Sequence, residues 1–380
     1  MQKLNAAESI RGLASLVVVL SHLSLSFLPG LHRFDPPSTE IAWVNWIHHS
    51  PLGFLYSGTA AVYVFFVLSG YVLSYAIYKH QAQLNTQLKS MMIKRYPRLM
   101  IPVLSSCLIT WLIVNSFQVD AQYTQAWLAE YLGQTVTLSQ ALYQGSIGAF
   151  LFAQSSVNWV LWTMQIEFFG SFLLFFLIYI SQKSHALFFI ASIVLPLMSY
   201  MVWGEGMLLG LSCFVIGLYI YRYAKLLSWP SAVLLMFIAL YFAGVHQSSA
   251  SYQWWVKLLG HRAYEYGNFL AGALLVYSVV MNVELSKYLD KKMLVLLGRW
   301  SFSIYLLHLP LLYLFGVPIL NQLMFWQLNY SFAVAIALLL YMLLLIVSAA
   351  IFSRYIDQFA IKLAQKSIQL LHRQKTERLS

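Results

Sequence analysis

The sequence predicts an all-α fold: a polytopic membrane helix bundle of about ten transmembrane helices, with both termini cytoplasmic. Of its 380 residues, 60% are hydrophobic and only 9% are charged, against about 25% charged in a soluble domain. Apolar segments of about 20 residues recur along the whole chain, the length needed to cross a bilayer. They do not alternate, and a bilayer core offers the backbone no water. Such runs therefore imply helices rather than a barrel.

Ten spans follow in order, at about 10–28, 55–78, 99–117, 160–180, 187–203, 207–221, 231–245, 264–281, 294–315 and 332–352. The opening loosely resembles a signal peptide, but Arg11 interrupts its apolar run and no small-x-small cleavage site follows, so it is expected to be retained as the first helix. The stretch 141–154 is apolar but short and glycine-rich, and is expected to be re-entrant or interfacial. Cys107 and Cys213 both lie inside apolar runs; they are expected to be small packing residues, with no disulfide framework and no zinc spacing.

The formal net charge is +11, and its distribution sets the orientation. With the N-terminus inside, the inside connections hold "KHQAQLNTQLKSMMIKRYPR" (79–98), Lys183, Arg222 with Lys225, and "LSKYLDKK" (285–292). The tail adds Arg354, Lys362, Lys366, Arg373, Lys375 and Arg378. The outside connections hold only Arg33, Lys257 and Arg262, and the loop 118–158 has no basic residue. The charge is thus a topology signal, and no nucleic-acid partner is needed to explain it. A single membrane domain over 1–353 is expected, followed by a basic, partly amphipathic cytoplasmic tail over 354–380 suited to anionic membrane lipids.

Ionisable residues inside spans are costly and usually functional. Arg11 and His22 close the run "RGLASLVVVLSH"; eleven residues apart, they share a helix face to within about 20° and lie about 16 Å apart along the axis. Glu167 sits in "WVLWTMQIEFFGSF" and His308 in "RWSFSIYLLHLPLL". Counted at about 1.5 Å per residue, His22, Glu167 and His308 lie about 9–12 Å below the outer ends of three separate spans. Acid/base side chains at one shared depth are expected to face a common interior.

At the inner side, "MIKRYPRLMIP" (92–102) places Arg95 and Arg98 three residues apart, with Pro97 suited to a helix start. Arginine forks bind phosphate bidentately, so this pair, with Lys94 and Arg11, is a candidate polyphosphate cradle. In "YVFFVLSGYVLS" (63–74), Ser69 and Gly70 suit close helix packing, and Ser69 is placed to donate into the interior. Trp127, Trp159, Trp162 and "YQWW" (252–255) lie toward the outer side. Trp162 and Tyr305 are further candidates for substrate contact, although interfacial belts use the same aromatic residues. No P-loop, HExxH or G-x-S-x-G pattern occurs.

Five of these pieces, in order over residues 8–312, resemble the acyltransferase 3 family of integral-membrane O-acyltransferases: "IRGLASLVVVLSH", "FFVLSGYVLS", "KRYPRLMIP", "LWTMQIEFF" and "SFSIYLLHLPLL". The resemblance implies transfer of an acyl group, usually acetyl from acetyl-CoA, to a hydroxyl of a cell-surface or lipid-linked glycan at a bacterial cytoplasmic (inner) membrane. It carries the Arg-x10-His residues onto Arg11 and His22, and the Arg-x-x-Arg residues onto Arg95 and Arg98. The implied partners are acyl-CoA and a saccharide acceptor, with no metal. On that footing His22 is expected to act as general base or acyl relay, Glu167 to orient it, and Arg11, Arg95 and Arg98 to hold the CoA phosphates. His308, Tyr305, Ser69 and Trp162 are expected to line the substrate path. The rival expectation is a proton-coupled transporter using the His22/Glu167/His308 cluster.

Overall fold

The computed structural model describes residues 2–32, 42–79, 81–133 and 135–377, so Arg33 and Arg378 lie outside the described residues, as do the side chains of Arg373 and Lys375. Among the described residues every regular element is helical. The chain begins with α1 (Gln2–Phe27), a short α2 (Ala42–His49), α3 (Gly58–Tyr78) and the long α4 (Leu84–Ser116). Short helices α5 (Ala126–Gly133), α6 (Leu138–Tyr143) and α7 (Ala149–Phe152) follow, then α8 (Thr163–Ser181), α9 (His185–Trp203), α10 (Glu205–Tyr223) and α11 (Trp229–Ala243). The last third holds α12 (Gln253–Leu259), α13 (Ala263–Val280), α14 (Val283–Leu289), α15 (Lys292–Leu311), α16 (Val317–Phe325), α17 (Tyr330–Phe352) and α18 (Gln358–Glu377).

Among the described residues, eight helical stretches are long and apolar enough to span a membrane. A ninth, Ala250–Val280 with Val283–Leu289, is bent by 95°, and the tenth expected position is the shorter Trp229–Ala243. The ten positions read from hydropathy are therefore all helical. Their bounds differ most where basic residues flank the apolar run, because a helix satisfies its own backbone and need not stop at the edge of the hydrocarbon. Thus α4 starts well before residue 99 and carries both Pro97 and Pro102 inside it. Pro97 is not a helix start.

Most of the stretch 141–154 is helical, α6 running through a π-helical turn at Gln144–Gly148 into α7, which ends at Phe152. Gly145 lets its backbone close on α4, where a Cβ would come within 2.8 Å of the Leu104 Cα. The C-terminal stretch also differs from a separate tail. The chain passes from α17 through a π-helical turn, Ser353–Asp357, directly into α18, which packs along α4. The turn relieves the register where Asp357 bonds inward to Ser303.

Two close helix contacts set the middle of the bundle. At the first, α1 meets α15 glycine to glycine: a Cβ on Gly12 would lie 2.7 Å from the Gly298 nitrogen, and one on Gly298 would lie 2.0 Å from the Glu8 carbonyl. At the second, α3 meets α10 through Gly70 and Gly217, where a Cβ would lie 2.3 Å from the Phe214 and Val67 carbonyls respectively. Small residues permit this approach, and van der Waals packing supplies association where hydrophobic burial cannot. The early part of α1, the basic first half of α4 and the turn into α18 gather at one end of the bundle, called the basic end below.

At the opposite end three imidazoles pack together. His48 Nδ1 donates to the Leu31 carbonyl at 2.8 Å, His32 Nε2 meets Ser24 Oγ at 2.7 Å, and the His246 ring stacks on Tyr56. Burial, reinforced by neighbouring imidazoles, pushes His32 down to about 4 and His246 to about 3 from 6.5. Among the described residues no group of three or more His, Cys, Asp or Glu is arranged to hold a metal ion.

Two expectations follow. Gly298→Val should separate α1 from α15, at a cost of at least the 1–3 kcal/mol typical of overpacking, read as a lower apparent melting temperature in detergent. Because the folded protein holds His32 and His246 neutral, above pH 6.5 neither the folded nor the unfolded form charges them. As pH falls from about 6.5 toward 4 the unfolded chain takes up protons first, so stability should decline in that window. Substituting both with Gln should flatten the acid limb of a melting-temperature profile against pH.

Candidate active site

A cavity of about 460 Å³ opens at the basic end and runs into the bundle. That is within the range of small-molecule and cofactor sites. Its walls take Glu8 and Arg11 from α1, Arg299 from α15 and Asp357 from the turn between α17 and α18. Arg98 of α4 joins them. Ser69, Arg95 and Glu167 line the same space, and Phe65, Thr163 and Tyr305 close it toward His308.

Each acid in this lining has a nearby arginine. Glu8 Oε1 accepts from Arg11 at 2.8 Å, one turn apart on α1. Glu167 accepts from both Arg95 and Ser69, the latter at 2.8 Å, while Arg95 Nε donates to Ser171 Oγ at 2.7 Å. Arg95 is buried, so its charge is compensated on the spot by a residue from α8. Asp357 accepts from Ser303 at 2.8 Å and faces the Arg98 charge. Arg98 and Arg299 are exposed within the lining and make no hydrogen bond to the described residues.

The two arginines of the Arg-x-x-Arg motif therefore divide. Arg95 ties α4 to α8, and Arg98 stays open to a ligand. Glu167, expected to orient His22, is occupied by Arg95 and Ser69 instead. The reason is depth: the long arginine of α4 reaches Glu167, and an unpaired carboxylate in this setting costs more than any gain from a neutral imidazole.

The side chain that meets His22 is His308. Its Nδ1 bonds the Tyr305 carbonyl at 2.7 Å, and His22 Nδ1 bonds the Val18 carbonyl at 3.0 Å. Carbonyls only accept, so both Nδ1 atoms carry the proton. His308 Nε2, 3.2 Å from His22 Nδ1, is then a lone pair sharing that N–H with Val18. His22 Nε2 is left as a lone pair with no partner among the described residues. Around this pair, Ser26 Oγ donates to the His22 carbonyl at 2.6 Å and Tyr341 to the His308 carbonyl at 2.7 Å.

Pro310 has no N–H, which frees the carbonyl of Leu306 one turn earlier. Asn158 Nδ2 takes it at 2.9 Å, binding the His308 helix to the turn that leads into α8. Tyr305, one turn from His308, donates to the Val160 carbonyl at 2.7 Å and meets Thr163 Oγ1 at 2.9 Å. Tyr305 lines the cavity, whereas His22 and His308 do not. Its ring lies 6.0 Å from that of His308, a single aromatic layer between cavity and histidine pair. Trp162 is 43% exposed and lines no part of the cavity.

Sequence reading thus finds Arg11, Ser69, Arg95, Arg98, Glu167 and Tyr305 on one cavity, with His22 and His308 paired beyond it. It misses Arg299 and Asp357. Arg299 is 180° around the helix from His308, so no shared face marks it, and Asp357 lies in what reads as a tail.

An all-α bundle with eight or more membrane-crossing helices defines a multi-pass membrane protein. A profile of acyltransferase 3, described as an acyltransferase domain, matches residues 4–354. The chain belongs to that family and is a membrane acyltransferase. No curated protein and no solved structure matches it.

Arg95 and Glu167 should show strong coupling. Arg95→Ala or Glu167→Ala alone leaves a buried charge uncompensated, at about 3–5 kcal/mol. The double variant should be less destabilised than the sum of the two, and a double-mutant cycle on unfolding in mild detergent reads the difference.

Proposed function

We propose that the protein moves an acyl group, acetyl in the simplest case, from cytoplasmic acyl-CoA to a hydroxyl of a cell-surface or lipid-linked glycan. The observation that carries this reading is the cationic cavity at the basic end, which stops one tyrosine short of an imidazole pair with a free lone pair. By the distribution of lysine and arginine the basic end faces the cytoplasm; the membrane, on the family resemblance, is a bacterial inner membrane.

Coenzyme A carries a diphosphate and a 3′-phosphate. Arg98 and Arg299, unbonded in the cavity lining, suit these groups through charge-assisted hydrogen bonds, with Arg11 in the same lining. The pantetheine arm then follows the cavity past Ser69 toward Tyr305. The tyrosine ring shifts for the thioester to meet His22.

A sugar hydroxyl needs its proton removed as it attacks. His22 Nε2 accepts that proton, and His308 Nε2 receives the His22 Nδ1–H, which holds the imidazole in the productive tautomer and stabilises the imidazolium. The hydroxyl oxygen bonds to the thioester carbon, the C–S bond breaks, and the thiolate recovers the proton from His22. The products are an ester and CoA–SH. An acyl-histidine relay would give ping-pong kinetics, and direct transfer a sequential pattern; we favour direct transfer. The transporter reading loses its acid, because Glu167 is held by Arg95.

The test uses protein in nanodiscs with acetyl-labelled acetyl-CoA. His22→Ala should lower label release from CoA by about 10²–10⁴-fold, the usual worth of a general base, and leave donor binding intact. Arg98→Ala should raise the donor KM by about 10-fold, as for loss of one charged hydrogen bond, with little change in kcat. Full turnover by His22→Ala would overturn the assignment. Absence of donor binding by folded wild type would overturn the donor.

A further inference from the structure

Trp127 reads from sequence as one more aromatic residue of the interfacial belt. The structure turns it inward. Its ring lies 6.1 Å from that of His22 and 6.0 Å from that of Trp159. Its indole N–H is fully shielded and has no hydrogen-bond partner among the described residues. Leaving a buried donor unsatisfied costs about 1–3 kcal/mol, and native proteins keep few such groups without a use.

The placement is built rather than incidental. Ser26 Oγ bonds the His22 carbonyl, and the Ser26 carbonyl accepts the backbone N–H of Gln125 at 3.2 Å. Tyr330 reaches the carbonyls of both Phe27 and Tyr123, at 3.2 and 3.4 Å. The segment carrying Trp127 is thus clamped to the turn of α1 that follows His22 and bonds its carbonyl. On the other side Trp159, beside Asn158, links Trp127 to the turn that holds the His308 helix.

An indole N–H donates and cannot accept, so what it awaits is an oxygen. Beside a general base in acyl transfer, the oxygen that most needs a donor is the carbonyl oxygen of the group being moved. We propose that Trp127 is a further catalytic residue, whose indole N–H donates to the acyl carbonyl oxygen as that oxygen gains negative charge. This rests on the reading of the protein as an acyl-CoA transferase.

The step balances as follows. The acceptor oxygen bonds to the carbonyl carbon while His22 Nε2 takes its proton, and the carbonyl π pair moves onto oxygen, where Trp127 donates to it. The pair then returns to the C–O bond, the C–S bond breaks, and the thiolate takes the proton from His22. A donor aimed at the tetrahedral oxygen contributes only as charge develops, and loss of one such donor lowers kcat by about 10²–10³-fold.

The experiment compares wild type with Trp127→Phe, which keeps an aromatic ring and removes the N–H. Two ligands are titrated in nanodiscs: CoA, and CoA capped on sulfur with a methylphosphonate, whose charged oxygens stand where the tetrahedral oxygens would. Wild type should bind the phosphonate more tightly than CoA. Trp127→Phe should lose at least ten-fold of that preference while binding CoA unchanged, and its kcat should fall about 100-fold at constant donor KM. In indole-¹⁵N-labelled wild type, the Trp127 N–H resonance should move downfield with the phosphonate and stay in place with CoA, a readout that does not depend on the variant folding. CoA binding with equal phosphonate preference in both proteins, or an unmoved resonance, would overturn the role of Trp127 alone. Failure of wild type to bind either ligand would overturn the donor reading and this inference with it.

Discussion

The approach of α1 to α15 at Gly12 and Gly298 is the contact on which the rest depends. With no Cβ on either glycine, the two backbones touch, and side chains further along both helices are brought within reach of each other. His22 lies ten residues beyond Gly12, and His308 ten residues beyond Gly298. The same register that seats the glycines therefore seats the imidazoles, and their 3.2 Å contact is a consequence of packing about three turns below. An imidazole pair built this way is rigid, because its geometry is carried by helices rather than loops.

A second constraint shapes the basic end. Charges inside a bundle must be paired or must face a polar space, and this cavity uses both solutions on adjacent turns of one helix. Arg95 is consumed by Glu167 and Ser171, which join α4 to α8. Arg98, one turn on, is left open with Arg299 opposite. A polyanion entering the cavity meets cations that are not already bonded, while the Arg95–Glu167 pair keeps the wall in place. Asp357, held by Ser303, puts the start of the C-terminal helix in the same lining. The turn between α17 and α18 is thus part of the cavity and not an appendage.

Much of this was legible in the sequence. Ten apolar runs gave ten helical positions, and the cost of ionisable groups in hydrocarbon singled out Arg11, His22, Glu167 and His308 before any coordinates. Their partners were not legible. The pairing of Glu167 with Arg95 joins residues on helices whose tilt and offset no periodicity encodes, so counting depth along each span matched Glu167 to the wrong neighbour. Pro97 looked like a start because proline is favoured there, yet α4 continues through it. Arg299 and Trp127 were hidden by resemblance to ordinary anchors. A basic residue at one membrane edge and an aromatic at the other are what topology alone requires.

The central claim is that a donor held by the open arginines delivers its acyl group to His22 past Tyr305. The most direct measurement is an experimental structure in nanodiscs with a thioether analogue of acetyl-CoA, which cannot transfer its group. The account predicts phosphate density against Arg98 and Arg299, a rotated Tyr305 ring, and the acyl carbon within one hydroxyl's reach of His22 Nε2. Density for the analogue outside the cavity, or an acyl group that ends on the cavity side of an unmoved Tyr305, would contradict it.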